Sequence, residues 1–166
     1  MDFLRTYARQ AVAHSAKLQG LSIRSFDTDP SGAPIPVDGT YWSLSHKPDY
    51  VAGVAATHPT GIDIEKIRPV GSRLFAKVIG DSERKLLDAD PSFLFFRFWT
   101  AKEVVLKRMG VGLAGLSKCR VRRVIDGSQL VVDYQTDSFT VTQTFFDNHI
   151  AAVLKTAQDT IEWQLG

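Results

Sequence analysis

The order of the predicted elements places this chain in the α+β class. A first helix is followed by short strands, then by further helices, and finally by four strands joined by tight turns. Apolar and acidic residues alternate in the third predicted strand, whereas the first helix repeats apolar and small residues every three or four positions. Because helices and strands are grouped and do not alternate one for one, a doubly wound nucleotide-binding fold is not predicted.

The first helix is predicted over residues 2–18. Mostly apolar residues recur on one face at three- and four-residue steps, which is typical of a helix. Gly20 supplies the stop signal, and Arg5 and Arg9 share a second face. A turn-rich loop follows over residues 27–39. The residues of this face are Leu4, Tyr7, Ala8, Ala11, Val12, Ser15 and Leu18.

Three short strands and two short helices are predicted in the middle of the chain. The strands span residues 41–45, 51–57 and 61–65, and the first two are joined by Lys47-Pro48-Asp49. The helices span residues 72–79 and 82–87.

A long helix is predicted from Asp90-Pro91 to about Gly110. Aspartate caps the helix, proline takes the first helical position, and glycine ends it. Ser72 is the predicted N-cap of the earlier helix. The closing strands are predicted over residues 119–125, 128–135, 138–146 and 149–156, with hairpin turns at Asp126-Gly127 and Asp147-Asn148.

Composition predicts one globular domain. Of 166 residues, 44% are hydrophobic and 23% are charged, which is enough apolar surface for a core and excludes global disorder. The net charge of +2 is too small to indicate nucleic-acid binding. Cys119 is the single cysteine, so an internal disulfide and a cysteine zinc site are excluded. No apolar run is long enough to span a membrane and no signal-peptide layout is present, so a cytoplasmic protein is expected.

Two acids alternate with two isoleucines in the third strand. Ile62 and Ile64 point to one face, while Asp63 and Glu65 point to the other, about 7 Å apart at ~3.3 Å per residue. An exposed strand face with solvated acids is one interpretation. In a binding site the two acids would repel each other unless a cation lay between them, and oxygen ligands of this kind suit Mg²⁺.

A third acid lies in the long helix. Glu103 and Lys107 are spaced i,i+4 in the order that favours a helical ion pair, so a surface salt bridge is one interpretation. The segment from Phe93 to Trp99 is almost wholly apolar, however, and Glu103 lies one turn after Trp99. This position indicates that the carboxylate is not on a well-solvated face.

Ser45 and His46 end the first strand and are suited to donate hydrogen bonds to phosphate oxygens. A serine nucleophile with histidine as its base is disfavoured, because adjacent strand residues point to opposite faces. Cys119 is interpreted as a small packed residue. The remaining histidines are interpreted as satisfied polar residues, namely His14, His58 and His149.

Taken together, three ordered motifs resemble the 4'-phosphopantetheinyl transferase superfamily, in particular its larger monomeric branch that activates peptide and polyketide synthetases. The resemblance covers about residues 5–125 and, more loosely, the closing strands. It implies one domain of two pseudo-symmetric halves, about 1–58 and 59–166, each with a helix on antiparallel strands and with coenzyme A in the cleft between them. The motifs are Ser43-Leu44-Ser45-His46, Gly61-Ile62-Asp63-Ile64-Glu65-Lys66, and Phe98-Trp99-Thr100-Ala101-Lys102-Glu103 with Lys107 and the turn of residues 110–113.

The resemblance implies a transferase that moves the phosphopantetheine arm of coenzyme A onto a carrier-protein serine and releases 3',5'-ADP. Asp63, Glu65 and Glu103 would hold Mg²⁺, with Mn²⁺ as an alternative. Glu103 would also accept the serine proton. Asp63, Glu103 and Lys107 would form the catalytic set. The phosphates of coenzyme A would be contacted by Arg5, Ser45, His46 and Lys47. Lys102 and Lys107 would contact phosphate or offset the charge of the acids.

The sequence departs from the family pattern at three places. Ala33 stands in Gly32-Ala33-Pro34 where the family usually carries lysine, and Lys47 follows the histidine where serine is usual. The first half is expected to be shortened, with Arg5 at the position of the family's helical arginine. Losing two charged phosphate contacts would weaken coenzyme A binding roughly 10²-fold.

Two alternative functions remain at this point: a non-catalytic module that binds carrier proteins, and a Mg²⁺-dependent hydrolase of nucleotide diphosphates. The expected partner is an acyl or peptidyl carrier protein of fatty-acid, polyketide or peptide synthesis, with no nucleic acid and no membrane, and a monomer is expected. Candidate docking surfaces are the strand with Arg120, Arg122 and Arg123 and the region of residues 67–75.

Overall fold

The computed structural model describes residues 2–165 and confirms the α+β class. Helices and strands appear in the predicted order, with most boundaries within one or two residues of the predicted ones. The elements are α1 (Asp2–Leu18), β1 (Tyr41–His46), β2 (Val51–Ala56), β3 (Ile62–Lys66), α2 (Ser72–Val78), α3 (Asp81–Arg84), α4 (Pro91–Met109), a 3₁₀ helix (Gly112–Lys118), β4 (Cys119–Val124), β5 (Gln129–Tyr134), β6 (Asp137–Phe146) and β7 (His149–Lys155).

The ends of α4 follow the capping signals in the sequence. The Asp90 carboxylate accepts hydrogen bonds from the backbone N–H groups of Ser92 and Phe93 at 2.9 and 3.1 Å. Gly110 ends the helix at φ 66°, a left-handed conformation that glycine adopts without strain. The predicted cap of α2 was wrong: Gly71 is the N-cap, and Ser72 is already in the helix.

The strands form two antiparallel sheets. One holds β1 and β2, and the other has the order β3-β7-β6-β5-β4. Side chains connect the sheets where β1 passes β3: Ser43 Oγ accepts from the Ile62 N–H at 3.1 Å, and Ser45 Oγ donates to Asp63 Oδ1 at 2.8 Å. The end of β1 is therefore held against the strand that carries the two acids.

The main core lies between α4 and the five-stranded sheet. Phe96, Phe98 and Leu106 of α4 are fully buried there, together with Leu130 and Ile150 of the sheet. A smaller core lies between α1 and the β1–β2 sheet. Within residues 2–165, we find no helix with the length and apolar content needed to span a membrane.

Glycine allows each long helix to touch a strand backbone. A Cβ atom on Gly61, just before β3, would lie 2.2 Å from the carbonyl oxygen of Val104 in α4. A Cβ on Gly53 in β2 would lie 2.4 Å from the backbone nitrogen of Val12 in α1. These contacts set α4 directly beside β3, which brings Glu103 to the acids of that strand. The pseudo-symmetry of the two halves, and their division near residue 58, stay predictions.

Candidate active site

A cleft opens where the end of β1, the strand β3 and the helix α4 meet. It lies at the junction of the two sheets, so each wall comes from a different element. The cleft is lined by Leu44, Ser45, His46, Lys47, Asp63, Glu65, Trp99, Glu103 and Lys107.

Asp63 is the most enclosed acid of the cleft, with a residue exposure of 4%. Its Oδ1 atom accepts hydrogen bonds from Ser45 Oγ and from Lys107 Nζ, each at 2.8 Å. Lys107 also donates to the carbonyl oxygen of Ile62 at 2.8 Å. The Oδ2 atom of Asp63 is buried without a hydrogen-bond partner. Lys107 thus pairs with the acid of the neighbouring strand, and the helical pair with Glu103 does not form.

Glu65 is nearly as buried, so the interpretation of a solvated strand face was wrong for both acids. Its Oε1 atom accepts from Trp99 Nε1 at 3.1 Å and from Lys47 Nζ at 2.9 Å. Its Oε2 atom is buried without a hydrogen-bond partner, and an Arg68 guanidinium nitrogen lies 3.7 Å away. Trp99 and Arg68 were not among the predicted site residues. The position of Trp99 one turn before Glu103 was the signal that could have found it.

Glu103 faces Asp63 and Glu65 from α4. Burial raises the pKa of Glu103 to about 7, and the negative charge of Asp63 acts in the same direction, as does that of Glu65 more weakly. Lys107 and Lys47 oppose this rise but do not cancel it. A carboxyl group with a pKa near neutrality can take up and release a proton under physiological conditions.

The donor set fits a hard divalent cation. Three carboxylates meet at the cleft, and Asp63 Oδ2 and Glu65 Oε2 are buried oxygens without hydrogen-bond partners. Oxygen ligands of this type suit Mg²⁺ or Mn²⁺. Within residues 2–165, however, no group of three or more His, Cys, Asp or Glu side chains is arranged so that it could hold a metal ion. Lys107 and Lys47 supply the positive charge beside the acids instead.

The predicted phosphate-binding residues of β1 all reach the cleft. His46 and Lys47 are partly exposed on its wall. Ser45 is 8% exposed and directs its hydroxyl hydrogen at Asp63, so a phosphate contact would require that bond to break. Arg5 is exposed on α1 and is not a lining residue of this cleft, so its phosphate contact stays a prediction.

Lys102 does not line the cleft, and of the two roles predicted for it, its contacts fit the offset of an acid's charge and not a phosphate contact. Its side chain is buried, and its Nζ atom donates to Glu83 Oε2 at 2.9 Å and to the carbonyl oxygen of Val78 at 2.6 Å. Adjacent helix residues are about 100° apart around the axis, so Lys102 and Glu103 face different sides of α4. Glu83 also accepts from the N–H groups of Gly80 and Val121, and it was not among the predicted site residues.

Comparisons with known proteins match the same region. The family model of the 4'-phosphopantetheinyl transferase superfamily matches residues 59–154, more than half of the chain. This range contains β3 and α4, and therefore all three carboxylates of the cleft.

Three curated relatives show the extent of the similarity. The 4'-phosphopantetheinyl transferase psf-1 of Bacillus pumilus is 32% identical over 109 residues, covering 61% of this chain and 47% of the relative. The transferase HetI of Nostoc sp. is 33% identical over 108 residues, with coverages of 58% and 46%. The transferase Sfp of Bacillus subtilis is 28% identical over 112 residues, with coverages of 64% and 50%. The chain spans about half the length of the curated relatives it matches. With the family model covering the strand and the helix that build the cleft, the chain belongs to the 4'-phosphopantetheinyl transferase superfamily.

Proposed function

We propose that this protein transfers the 4'-phosphopantetheine arm of coenzyme A to a serine of an acyl or peptidyl carrier protein. The observation that carries the proposal is the meeting of Asp63, Glu65 and Glu103 in one cleft with Lys47 and Lys107. Phosphoryl transfer depends on positioning and on neutralising charge more than on covalent chemistry by the enzyme. A cluster of carboxylates and lysines at an open cleft is suited to both tasks.

The proposed reaction is a single displacement at phosphorus. The carrier serine oxygen forms a bond to the phosphorus atom that carries the pantetheine arm. The bond from that phosphorus to the oxygen of the leaving nucleotide breaks, and 3',5'-ADP departs with the electron pair. The serine proton passes to Glu103, directly or through water.

In this proposal Asp63, Glu65 and Glu103 hold a divalent cation. When bound, the cation neutralises charge on the diphosphate and on the leaving nucleotide. The buried oxygens without partners on Asp63 and Glu65 support this assignment. Lys107, bonded to Asp63 at 2.8 Å, orients that carboxylate from the helix side.

Carrier proteins of fatty-acid, polyketide and peptide synthesis are the proposed partners, and the cytoplasm is the proposed location. Monomeric behaviour stays a prediction. The surfaces at Arg120, Arg122 and Arg123 and at residues 67–75 stay predictions as docking sites, although the three arginines are exposed on the edge strand β4.

The transfer is tested by intact mass spectrometry of a panel of apo carrier proteins. Each carrier is incubated with this protein, coenzyme A and Mg²⁺, and a parallel reaction contains EDTA. We expect one carrier class to gain the mass of a single phosphopantetheine arm, and EDTA to abolish the gain. Coenzyme A cleavage without a modified carrier would instead indicate the nucleotide diphosphate hydrolase. Binding of a carrier with coenzyme A left intact would indicate the non-catalytic module.

Mg²⁺ binding is expected to become tighter as pH rises towards 7. In the metal-free protein the raised pKa keeps Glu103 largely protonated below about pH 7, and the proton must leave before the carboxylate can ligate a cation. Calorimetric titrations in two buffers of different ionisation enthalpy measure this release. We expect about one proton per Mg²⁺ at about pH 6 and close to none at about pH 8.

The control for this titration is Glu103→Gln, which cannot release the proton. Weaker Mg²⁺ binding with little proton release at about pH 6 is expected for this variant. Undiminished release from the variant would assign the proton to a different group.

A further inference from the structure

Lys47 lies in a hydrogen-bonded turn at the cleft and contacts Glu65 through its long side chain. The turn between β1 and β2 is closed by a hydrogen bond from the Lys47 N–H to the Tyr50 carbonyl at 2.8 Å. The Tyr50 hydroxyl donates to the Asp147 carboxylate, and Lys66 Nζ pairs with Asp49 at 2.7 Å. The backbone of Lys47 is thus anchored to the five-stranded sheet at two points, while its four-carbon side chain keeps its freedom.

The ammonium group of Lys47 forms an ion pair with one carboxylate oxygen of Glu65, a proposed metal ligand. Its Nζ atom lies 2.9 Å from Glu65 Oε1, and its side chain is 31% exposed whereas that of Glu65 is 8% exposed. A buried carboxylate needs a positive partner, because an uncompensated buried charge is strongly unfavourable. Lys47 reaches that carboxylate from the solvent side, and this is also the side open to a ligand.

A divalent cation at Glu65 would remove the reason for this ion pair. A bound cation would neutralise the carboxylate and repel the ammonium group, which would then be free to pair with an anion such as a phosphate of a bound nucleotide. The Arg68 Nη1 atom lies 3.7 Å from Glu65 Oε2. It is a weaker counter-charge to this carboxylate than Lys47, and its side chain is more exposed than that of Lys47.

We propose that Lys47 is an exchangeable counter-ion that pairs with Glu65 in the metal-free protein and with a phosphate of coenzyme A once a divalent cation is bound. This inference rests on the proposed function for the identity of the ligand. Its consequence is reciprocal: the cation strengthens coenzyme A binding, and coenzyme A strengthens cation binding by the same factor.

Lys47→Ser tests the exchange in calorimetric titrations of coenzyme A. In saturating Mg²⁺ the variant is expected to bind coenzyme A roughly tenfold more weakly than the wild type, since a charged phosphate contact is lost. In EDTA the two proteins are expected to agree within about twofold, because Lys47 is then engaged with Glu65. In titrations of Mg²⁺ alone the variant is expected to bind several-fold more tightly, because its competitor is absent. Lys77→Ser, at an exposed position of α2, removes the same charge and is expected to change none of these affinities.

The outcomes separate this inference from its alternatives. Equal losses of coenzyme A affinity in Mg²⁺ and in EDTA would make Lys47 a permanent phosphate ligand and overturn the exchange. No loss in either condition would reduce it to a structural partner of Glu65 and overturn the exchange too. If all the expected changes in coenzyme A and Mg²⁺ affinity are seen but no carrier is modified, only the proposed transferase function would be overturned. Absence of coenzyme A binding by the wild type would overturn both proposals.

Discussion

Replacement of Glu103 by glutamine is expected to lower the rate of carrier modification by about 10³-fold, within the range that a positioned general base contributes. Glutamine keeps the size of the side chain but can neither accept the serine proton nor supply a charged ligand. The rate is measured by intact mass of the carrier over time. Glu162→Gln, an exposed change in the C-terminal segment, makes the same chemical substitution and is expected to leave the rate unchanged.

The same variant is expected to fold normally. Glu103 is destabilised as a carboxylate by burial and by Asp63 and Glu65, so its neutral replacement relieves repulsion in the metal-free protein. Thermal unfolding in EDTA is therefore expected to occur at or above the wild-type midpoint. A Glu103→Gln protein that modifies carriers at the wild-type rate would show that the active site has been assigned wrongly.

Replacement of Lys102 by methionine is expected to lower the free energy of unfolding by about 3–5 kcal/mol, the usual effect of removing one partner of a buried ion pair. Lys102 and Glu83 are 2% and 3% exposed, and the Lys102 Nζ lies 2.8 Å from Glu83 Oε1. Glu83 also accepts from the N–H groups of Gly80 and Val121 at 2.8 and 2.7 Å. The ion pair therefore links α4 to β4 and to the start of α3.

Urea unfolding measures this effect. The control is Lys85→Met, an exposed lysine just after α3, for which a change within about 0.5 kcal/mol is expected. The opposite pattern, with unchanged stability of Lys102→Met and weakened coenzyme A binding, would restore the phosphate contact that the sequence motif suggested.

Strand β3 shows which properties of the site a local sequence pattern can predict. Alternation of Ile62 and Ile64 with Asp63 and Glu65 correctly predicted two acids on one face, because strand geometry relates neighbours with a period of two. The same pattern left open whether that face was solvated. Burial of both acids results from α4 and from the end of β1, which lie far away in sequence and pack over β3 only in the folded chain.

Lysine partners were the least predictable part of the site. Lys107 was correctly placed near the acids, but the i,i+4 spacing pointed to Glu103 and the structure pairs it with Asp63. Lys102 was assigned to the cleft through its motif, although it points to the other side of the helix. A long side chain has several partners within reach, so its choice depends on which buried charge most needs compensation.

By itself, the sequence determined the α+β class, the bounds of α4, the hairpin turn at Asp147-Asn148 and the motifs of the family. Each of these depends on residues that are close together in the chain. Such residues set the helix caps, the conformation of tight turns and the spacing of apolar side chains. The tertiary structure alone decided that Lys47 neutralises Glu65, that Lys102 is buried with Glu83, and that Glu103 has a pKa near 7. Those properties depend on burial and on charges that distant segments bring together, and electrostatic energies of this kind are set by the folded surroundings.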